Sequence, residues 1–270
     1  MNRSIRLLKE YTQHEQLKLV PSGNAAIFAA IAMAKNKSRK AFILIPDQGG
    51  WLTYEPYAKL LGFEVKKIKT DNGVIDAEEL REQAPKASAF LYSNPGGYFA
   101  EQPIRKIYNA CKGKCLCIMD VSGCIGDKAL CNGDYADVMI GSFGKWKPVN
   151  MEYGGFISAK DKLLHHGKAV FPMLKVNFDY DVLLENLKKA PERIYYFYGR
   201  CVKIKQDLKE FDIVHKDRKG INVVVKFDSE SEKRKILDYC DKHKLEYTIC
   251  PRYIRLMDDA VSIEVKRLDY

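Results

Sequence analysis

The sequence predicts an α/β protein with a mainly parallel sheet covered by helices on both faces, followed by a small C-terminal α+β domain. Two observations carry this expectation. Up to about Lys160, short apolar runs bounded by turn residues alternate with alanine-rich or amphipathic segments of helical length. Beyond Lys160 the pattern changes to one long, charged and aromatic segment and then short strands around a single helix. The 270 residues, 46% hydrophobic and 11% aromatic, suffice to bury one large core, or one large and one small.

Ser22-Gly23-Asn24 precedes the run Ala25 to Ala34, which reads as a helix with a polar cap. Lys40 to Pro46 reads as a short buried strand, Thr53 to Leu61 as a helix, Phe63 to Ile68 as a strand and Asp76 to Gln83 as a helix. Ala87 to Tyr92 reads as a strand, Pro103 to Cys111 as a helix, and Cys115 to Asp120 and Val138 to Phe143 as strands. Tyr180 to Leu208 is the long helix. After it come a strand (Gly220 to Phe227), a helix (Ser229 to Lys242) and two strands (Glu246 to Cys250 and Ala260 to Lys266). With no repeat, low-complexity tract or Gly/Ser linker to mark a boundary, the division is soft, between residues 165 and 180. It gives a large domain over 1–170 and a small one over 171–270.

The net charge of +10 raises the question of nucleic acid, but the lysines are spread along the chain and no base-reading motif accompanies them. They fall on the polar sides of segments such as Glu232 to Leu245, so solvated faces are expected, in a field that also suits an anionic ligand. No apolar window is long enough to span a bilayer, and Met1 to Glu10 lacks the core of a signal peptide. A cytoplasmic protein acting on neither nucleic acid nor membrane is expected. The eight cysteines form no dense disulfide framework, which agrees with a reducing compartment. Cys111, Cys115, Cys117, Cys124 and Cys131 cluster without a Cys-x-x-Cys pair, so burial as small hydrophobes is expected rather than a metal site. His165-His166 has no partner motif.

In a parallel sheet, ligands bind beyond the carboxyl ends of the strands. Asn94, Asp120 and Ser142 each fall at or just after a strand end. Ser22-Gly23-Asn24 opens a helix whose first amide groups suit a phosphate, although a plain capping turn explains these three residues nearly as well. Trp51, after Asp47-Gln48-Gly49-Gly50, offers an indole that either stacks on a flat ring or simply packs. Asp120 ends an apolar strand, where a carboxylate needs a partner such as a pyridinium nitrogen, a helix end or a surface cation. Asn94 either donates to a ligand oxygen or initiates a turn. The stretch Asp137 to Gly155 runs from an apolar strand into Ser142, Lys145, Lys147 and Gly154-Gly155. A lysine at such a strand end can be desolvated and made nucleophilic toward an aldehyde.

In this order the residues resemble the fold-type-I pyridoxal phosphate (PLP) enzymes, most closely the sugar-nucleotide aminotransferase (DegT/StrS-like) family. The family's Ser-Gly-Thr phosphate turn is similar to Ser22-Gly23-Asn24, its stacking aromatic to Trp51 and its pyridine-binding aspartate to Asp120. Its Ser-Phe-x-x-x-Lys matches Ser142-Phe143-Gly144-Lys145-Trp146-Lys147, and its Glu-Gly-Gly falls on Tyr153-Gly154-Gly155. The resemblance places the Schiff-base lysine at Lys147. Lys145 is the competitor, because other aminotransferases of this fold place the lysine three residues after the serine. An asparagine that reaches the partner subunit's phosphate in the family resembles Asn177, which implies a homodimer.

The chain departs from the family pattern at Val121-Ser122-Gly123, where the family has Ala-Ala-His or Ala-Ala-Gln, and at Tyr153 in place of the glutamate. It is also about a quarter shorter than is usual for the family. Arg252 and Arg255 are both candidates for a substrate carboxylate, with nothing in their spacing to select one. The function implied is a PLP-dependent aminotransferase working between a small amino donor and a keto acceptor, one candidate being a keto-sugar. Lys147 and Asp120 would be catalytic, and Ser22, Gly23, Asn24, Trp51, Asn94, Ser142 and Asn177 would bind the cofactor. The alternatives are another PLP reaction, a lyase or a desulfurase, and a non-catalytic binding or regulatory subunit of the same fold.

Overall fold

The computed structural model describes residues 2–270. Two N-terminal elements add to the sequence expectations: α1 (Arg3–Thr12), amphipathic and burying Leu8, and β1 (Gln16–Val20). The expected alternation then follows, as α2 (Gly23–Lys37), β2 (Phe42–Pro46), α3 (Tyr54–Leu60) and β3 (Glu64–Ile68). A two-residue hairpin, β4 (Thr70–Asp71) and β5 (Val74–Ile75), leads to α4 (Ala77–Gln83) and β6 (Ala87–Ser93). After these come α5 (Ile104–Cys111), β7 (Leu116–Asp120), β8 (Val138–Ser142) and β9 (Gly155–Ala159).

The large sheet has the order β1-β9-β8-β7-β6-β2-β3. Strands β8, β7, β6, β2 and β3 run parallel, and β9 is antiparallel to both its neighbours. Chain order runs outward from β2 to β3 on one side and from β6 through β7 to β8 on the other. The switch point therefore lies between β2 and β6, where a parallel sheet opens a crevice at its carboxyl edge. Alternate strand residues enter opposite cores. Ile43, Ile45, Leu91, Ile118 and Ile140 pack beneath α2, whereas Leu44, Phe90, Tyr92, Met119 and Met139 pack with Ile107 and Cys111 of α5. Ala26, Ala29, Ala30 and Ala34 are buried, and their small side chains let α2 lie close on the sheet.

The C-terminal part comprises α6 (Tyr180–Asp207), β10 (Val223–Lys226), α7 (Glu230–Lys242), β11 (Tyr247–Ile249) and β12 (Ala260–Ile263). Its antiparallel sheet has the order β10-β12-β11. The strand expected to run to Lys266 stops at Ile263, and Val265–Arg267 form a 3-10 turn. Helix α6 serves two cores: Leu183, Leu187 and Ala190 pack in the one that also holds β7, and Phe197, Cys201 and Ile204 in the one under the three-stranded sheet. Val176 and Phe178, beyond the division expected at residue 170, also pack in the first of these cores.

At Pro191 the helix lacks an amide hydrogen, and Gly126 approaches there with φ +103°. A Cβ at Gly126 would lie 2.9 Å from the Pro191 nitrogen, a backbone atom that cannot rotate away. Gly126→Ala is therefore expected to lower unfolding stability by about 2 kcal/mol, from the positive φ and the overpacking together. Urea titration checks this, and an unchanged midpoint would show that the loop yields freely.

Candidate functional site

The carboxyl ends of β2, β6, β7 and β8 converge on the N-terminus of α2. Ser22 caps that helix, its hydroxyl oxygen accepting from the Ala25 N–H at 3.1 Å, which leaves the hydroxyl hydrogen free to donate. The Gly23 and Asn24 N–H groups lie in the first turn, where helix geometry supplies no acceptor. Ser142 ends β8 directly against this turn. A Cβ at Gly23 would meet the Ser142 Cβ at 2.6 Å, and one at Gly155 would meet the Gly141 carbonyl oxygen at 2.5 Å and the Gly23 nitrogen at 3.0 Å. Glycine at both positions lets the first turn of α2, β8 and β9 pack this closely, which gathers the first-turn N–H groups and the Ser22 and Ser142 hydroxyls into a cradle of donors of the kind that fits a phosphate.

Trp51 stands at the rim of this cradle. Its indole N–H donates to Asn24 Oδ1 at 2.9 Å, and the Thr53 hydroxyl donates to the same oxygen at 3.2 Å. Asn24 thus holds the indole with its side chain while its backbone faces the cradle. Asp120 is buried at the end of β7, where Oδ2 accepts from the Tyr54 hydroxyl and Oδ1 from the Ser122 N–H, each at 2.9 Å. The Ser122 hydroxyl in turn accepts from the Ser142 N–H at 2.9 Å, tying β7 to β8.

Lys147 and Lys145 differ sharply in placement. Lys145 is exposed, its ammonium 5.2 Å from the Trp146 ring. Lys147 turns inward, with Nζ 5.1 Å from the Trp51 ring centre and 4.3 Å from that of Tyr98, and donates to the Tyr98 hydroxyl at 2.5 Å. Burial and then the positive charge of Lys266 push the Lys147 ammonium down to about 7, against an opposing pull from Asp120. A lysine so placed is a neutral amine at mildly alkaline pH.

Two expected site residues lie elsewhere. Asn94 is buried, its amide donating to the Leu130 carbonyl at 2.8 Å and its oxygen accepting from the Gln102 N–H at 3.0 Å. Both ends of the side chain are committed to shaping the loop after β6, which corrects its assignment as a cofactor ligand. Asn177 is exposed and lines an open groove of about 1270 Å³ along the outer edge of β1, with Leu17, Leu19 and Phe171, away from Lys147. Of the aromatic run 195–198 only Tyr195 is well exposed, at 63%. Phe197 lies in the small core and Tyr198 donates to Asp127 at 2.9 Å. Tyr153 stacks on Phe178 at 5.4 Å.

Sequence reasoning missed the residues on the far side of Lys147. Tyr98 is one; its position in a glycine-rich loop after β6 was the available signal. Gly123 makes room for it, since a Cβ there would meet the Tyr98 ring at 2.9 Å. Where the resembling family carries a histidine or glutamine, this chain has a glycine and a tyrosine ring from another strand end. Lys266 and Glu264 are the others, and Arg255, read from the sequence only as a candidate for a substrate carboxylate, joins them. Arg255 pairs with Glu264 through Nε at 2.8 Å and Nη2 at 2.7 Å, so its guanidinium is committed within the small domain. Arg252 and Arg255 are thus not equivalent as carboxylate candidates. The cysteines are all unpaired thiols and, apart from half-buried Cys115, buried, and among the described residues no cluster could hold a metal.

Comparison with solved structures decides the fold. Helicobacter pylori PseC, an aminotransferase involved in the biosynthesis of pseudoaminic acid, superposes with a TM-score of 0.75 at 16% identity, over 98% of this chain and 86% of that one. The chain has the fold of the type-I PLP enzymes. The 3-amino-5-hydroxybenzoic acid synthase structure gives 0.74 at 14% identity, over 97% and 84% of the two chains. Serine palmitoyltransferase from S. paucimobilis, solved with a PLP–myriocin aldimine, gives 0.74 at 12% identity, over 97% and 70%. Residues 192–270 match a family model described as the MJ1341 family C-terminal domain. No curated protein sequence matches the chain.

The grip of Asn24 on Trp51 can be read by fluorescence. In a Trp146→Phe background, leaving Trp51 as the single tryptophan, Asn24→Ala is expected to red-shift the emission while costing about 1 kcal/mol or less. An unshifted spectrum would mean that packing alone holds the indole.

Proposed function

We propose that the protein is a PLP-dependent enzyme of the aminotransferase type, with Lys147 as the lysine that carries the cofactor. The observation that carries this reading is the convergence of an inward-turned, deprotonatable lysine and a buried carboxylate on a donor-lined cradle at the carboxyl ends of β7 and β8. The residues fit the group. Ser22, Gly23, Asn24 and Ser142 would hold its phosphate, Trp51 would cover one face of its ring, and Asp120 would meet its ring nitrogen.

Bound PLP supplies an electron sink for the pair of electrons released when the donor carbon loses a proton. Asp120 has both oxygens fixed by Tyr54 and Ser122, so its charge is aimed before any ligand arrives. The Lys147 amine would be the base that takes a proton from the donor carbon and later returns it. Tyr98 would orient the Lys147 amine through their hydrogen bond. A homodimer is part of the proposal: Asn177, exposed and unused by this chain's own site, would reach the partner's phosphate.

Borohydride treatment in the presence of PLP is expected to fix the cofactor on Lys147, and peptide mapping locates the label. The yield should hold above pH 7 and fall as the pH drops below it, because the charged ammonium is no nucleophile. A label on Lys145, or on neither lysine, would defeat the assignment. Asp120→Ala is expected to retain PLP yet lose half-transamination by about two or more powers of ten. An Asp120→Ala protein that transaminates at the parent rate would remove Asp120 from the ring nitrogen.

A further inference from the structure

Three cationic groups crowd around the Tyr98 ring. Lys147 Nζ lies 4.3 Å from its centre, the Arg255 guanidinium carbon 5.1 Å and Lys266 Nζ 5.3 Å. On the small-domain side a single carboxylate answers two of them. Glu264 accepts from Arg255 through both oxygens and from Lys266 at 2.7 Å, and it takes further bonds from Asn222 and Ser262. Lys266 is 4% exposed, so this charge is little screened by water.

We propose that Lys266 is a positioning residue that keeps Lys147 a neutral, reactive amine by presenting a buried positive charge to it from across Tyr98. The inference rests on Lys147 being the reactive amine of the proposed function. Between the two lysines, Lys266 contacts a carboxylate directly, whereas Lys147 contacts only the uncharged Tyr98 hydroxyl. The proton is therefore surrendered by Lys147. Asp120 opposes this from β7, but its oxygens are already taken by Tyr54 and Ser122. Trp51 adds no countercharge, and Lys145 on the same loop points to solvent. After burial, Lys266 is the strongest influence lowering Lys147, with Arg255 adding to it and Glu264 opposing. Lys266 is itself brought to about 8 by burial, with Glu264 holding it up. The consequence is a nucleophile of the large domain that is tuned from the small one.

The test is a titration of the cofactor-free protein after reductive methylation with ¹³C-formaldehyde, following the Lys147 and Lys266 methyl signals by NMR. In the parent, Lys147 is expected to titrate near 7. In Lys266→Met it should rise by about one unit or more, while Lys266→Arg, which keeps the charge, should leave it at the parent value. A Lys147 midpoint that does not move in folded Lys266→Met, or that already lies at 9 or above in the parent, overturns the proposal. Should Lys266→Met not fold, Lys266→Gln is titrated in its place and read by the same criterion. Borohydride trapping of PLP is read separately. No trapping with a Lys147 midpoint near 7 defeats the cofactor reading alone, and trapping with an unmoved midpoint in Lys266→Met defeats this one alone.

Discussion

The left-handed backbone of Tyr98 is the constraint on which both halves of the molecule depend. At φ +70° a tyrosine is strained, and such a conformation persists only where its surroundings over-determine it. Here they do. The Tyr98 carbonyl accepts from the Ile221 N–H at 2.7 Å and the Asn222 N–H at 3.0 Å, two donors leading into β10 of the small domain. One residue earlier, the Gly97 N–H donates to the Gly49 carbonyl, and the Gly49 N–H donates to the Tyr253 carbonyl. The loop after β2, the loop after β6 and the small domain are stitched together at this point. The same backbone geometry sends the ring into the gap above Gly123, where its hydroxyl meets Lys147.

Placing four ionisable groups around one ring combines one carboxylate that stabilises the fold with one lysine whose charge costs it stability, and both shifts make stability rise with pH. Burial alone would raise the Glu264 carboxyl, but the Arg255 guanidinium and the Lys266 ammonium overrule it and hold it well below the usual range. Its contribution to stability is present above the ordinary carboxylate pKa of 4.5 and is lost as the pH falls through the depressed value. Lys147 is the costly group. Its folded pKa of about 7 lies below the ordinary 10.5, so the unfolded chain holds that proton more tightly. Charging Lys147 in the fold is fully unfavourable below pH 7, and the burden is relieved as the pH rises from about 7 toward 10.5. A buried carboxylate clamp thus adjoins a lysine whose charging is a liability below about pH 7, an arrangement expected of a reactive centre rather than of a structural ion pair.

How much of this was legible in the sequence follows from the range of each interaction. Ser22 and Ser142 were legible as a helix cap and a strand end because both are local patterns. The choice between Lys145 and Lys147 is a matter of direction: Trp146, at φ +63°, turns the chain so that neighbouring lysines face opposite ways. Spacing alone does not contain that turn. Asn94 misled for a related reason. Its place after a strand end suits a ligand, but Leu130 and Gln102, which satisfy it, belong to segments that the local pattern does not connect. The departure at Gly123 was visible, yet its compensation comes from Tyr98 in another loop, and a one-dimensional pattern cannot pair the two. Lys266 was hidden by secondary structure, since a strand continued through it gives no hint of the 3-10 turn that follows Ile263.

The site is therefore composite in a specific sense. The groups that would hold a cofactor, the α2 N-terminus with Ser142, Asp120 and Lys147, all come from the sheet that this chain shares in outline with its structural neighbours. The charges that add to burial in lowering Lys147, those of Lys266 and Arg255, come from residues 192–270, the segment with a family model of its own. Helix α6 spans the join, anchored by Leu187 and Ala190 in one core and by Phe197 and Cys201 in the other, with Gly126 fitted against Pro191 between them. Rigidity at that join matters because a Coulomb interaction weakens with distance and with admitted water. A small-domain shift that let solvent in around Tyr98 would weaken the hold of Lys266 on Lys147 without breaking a bond in the large domain.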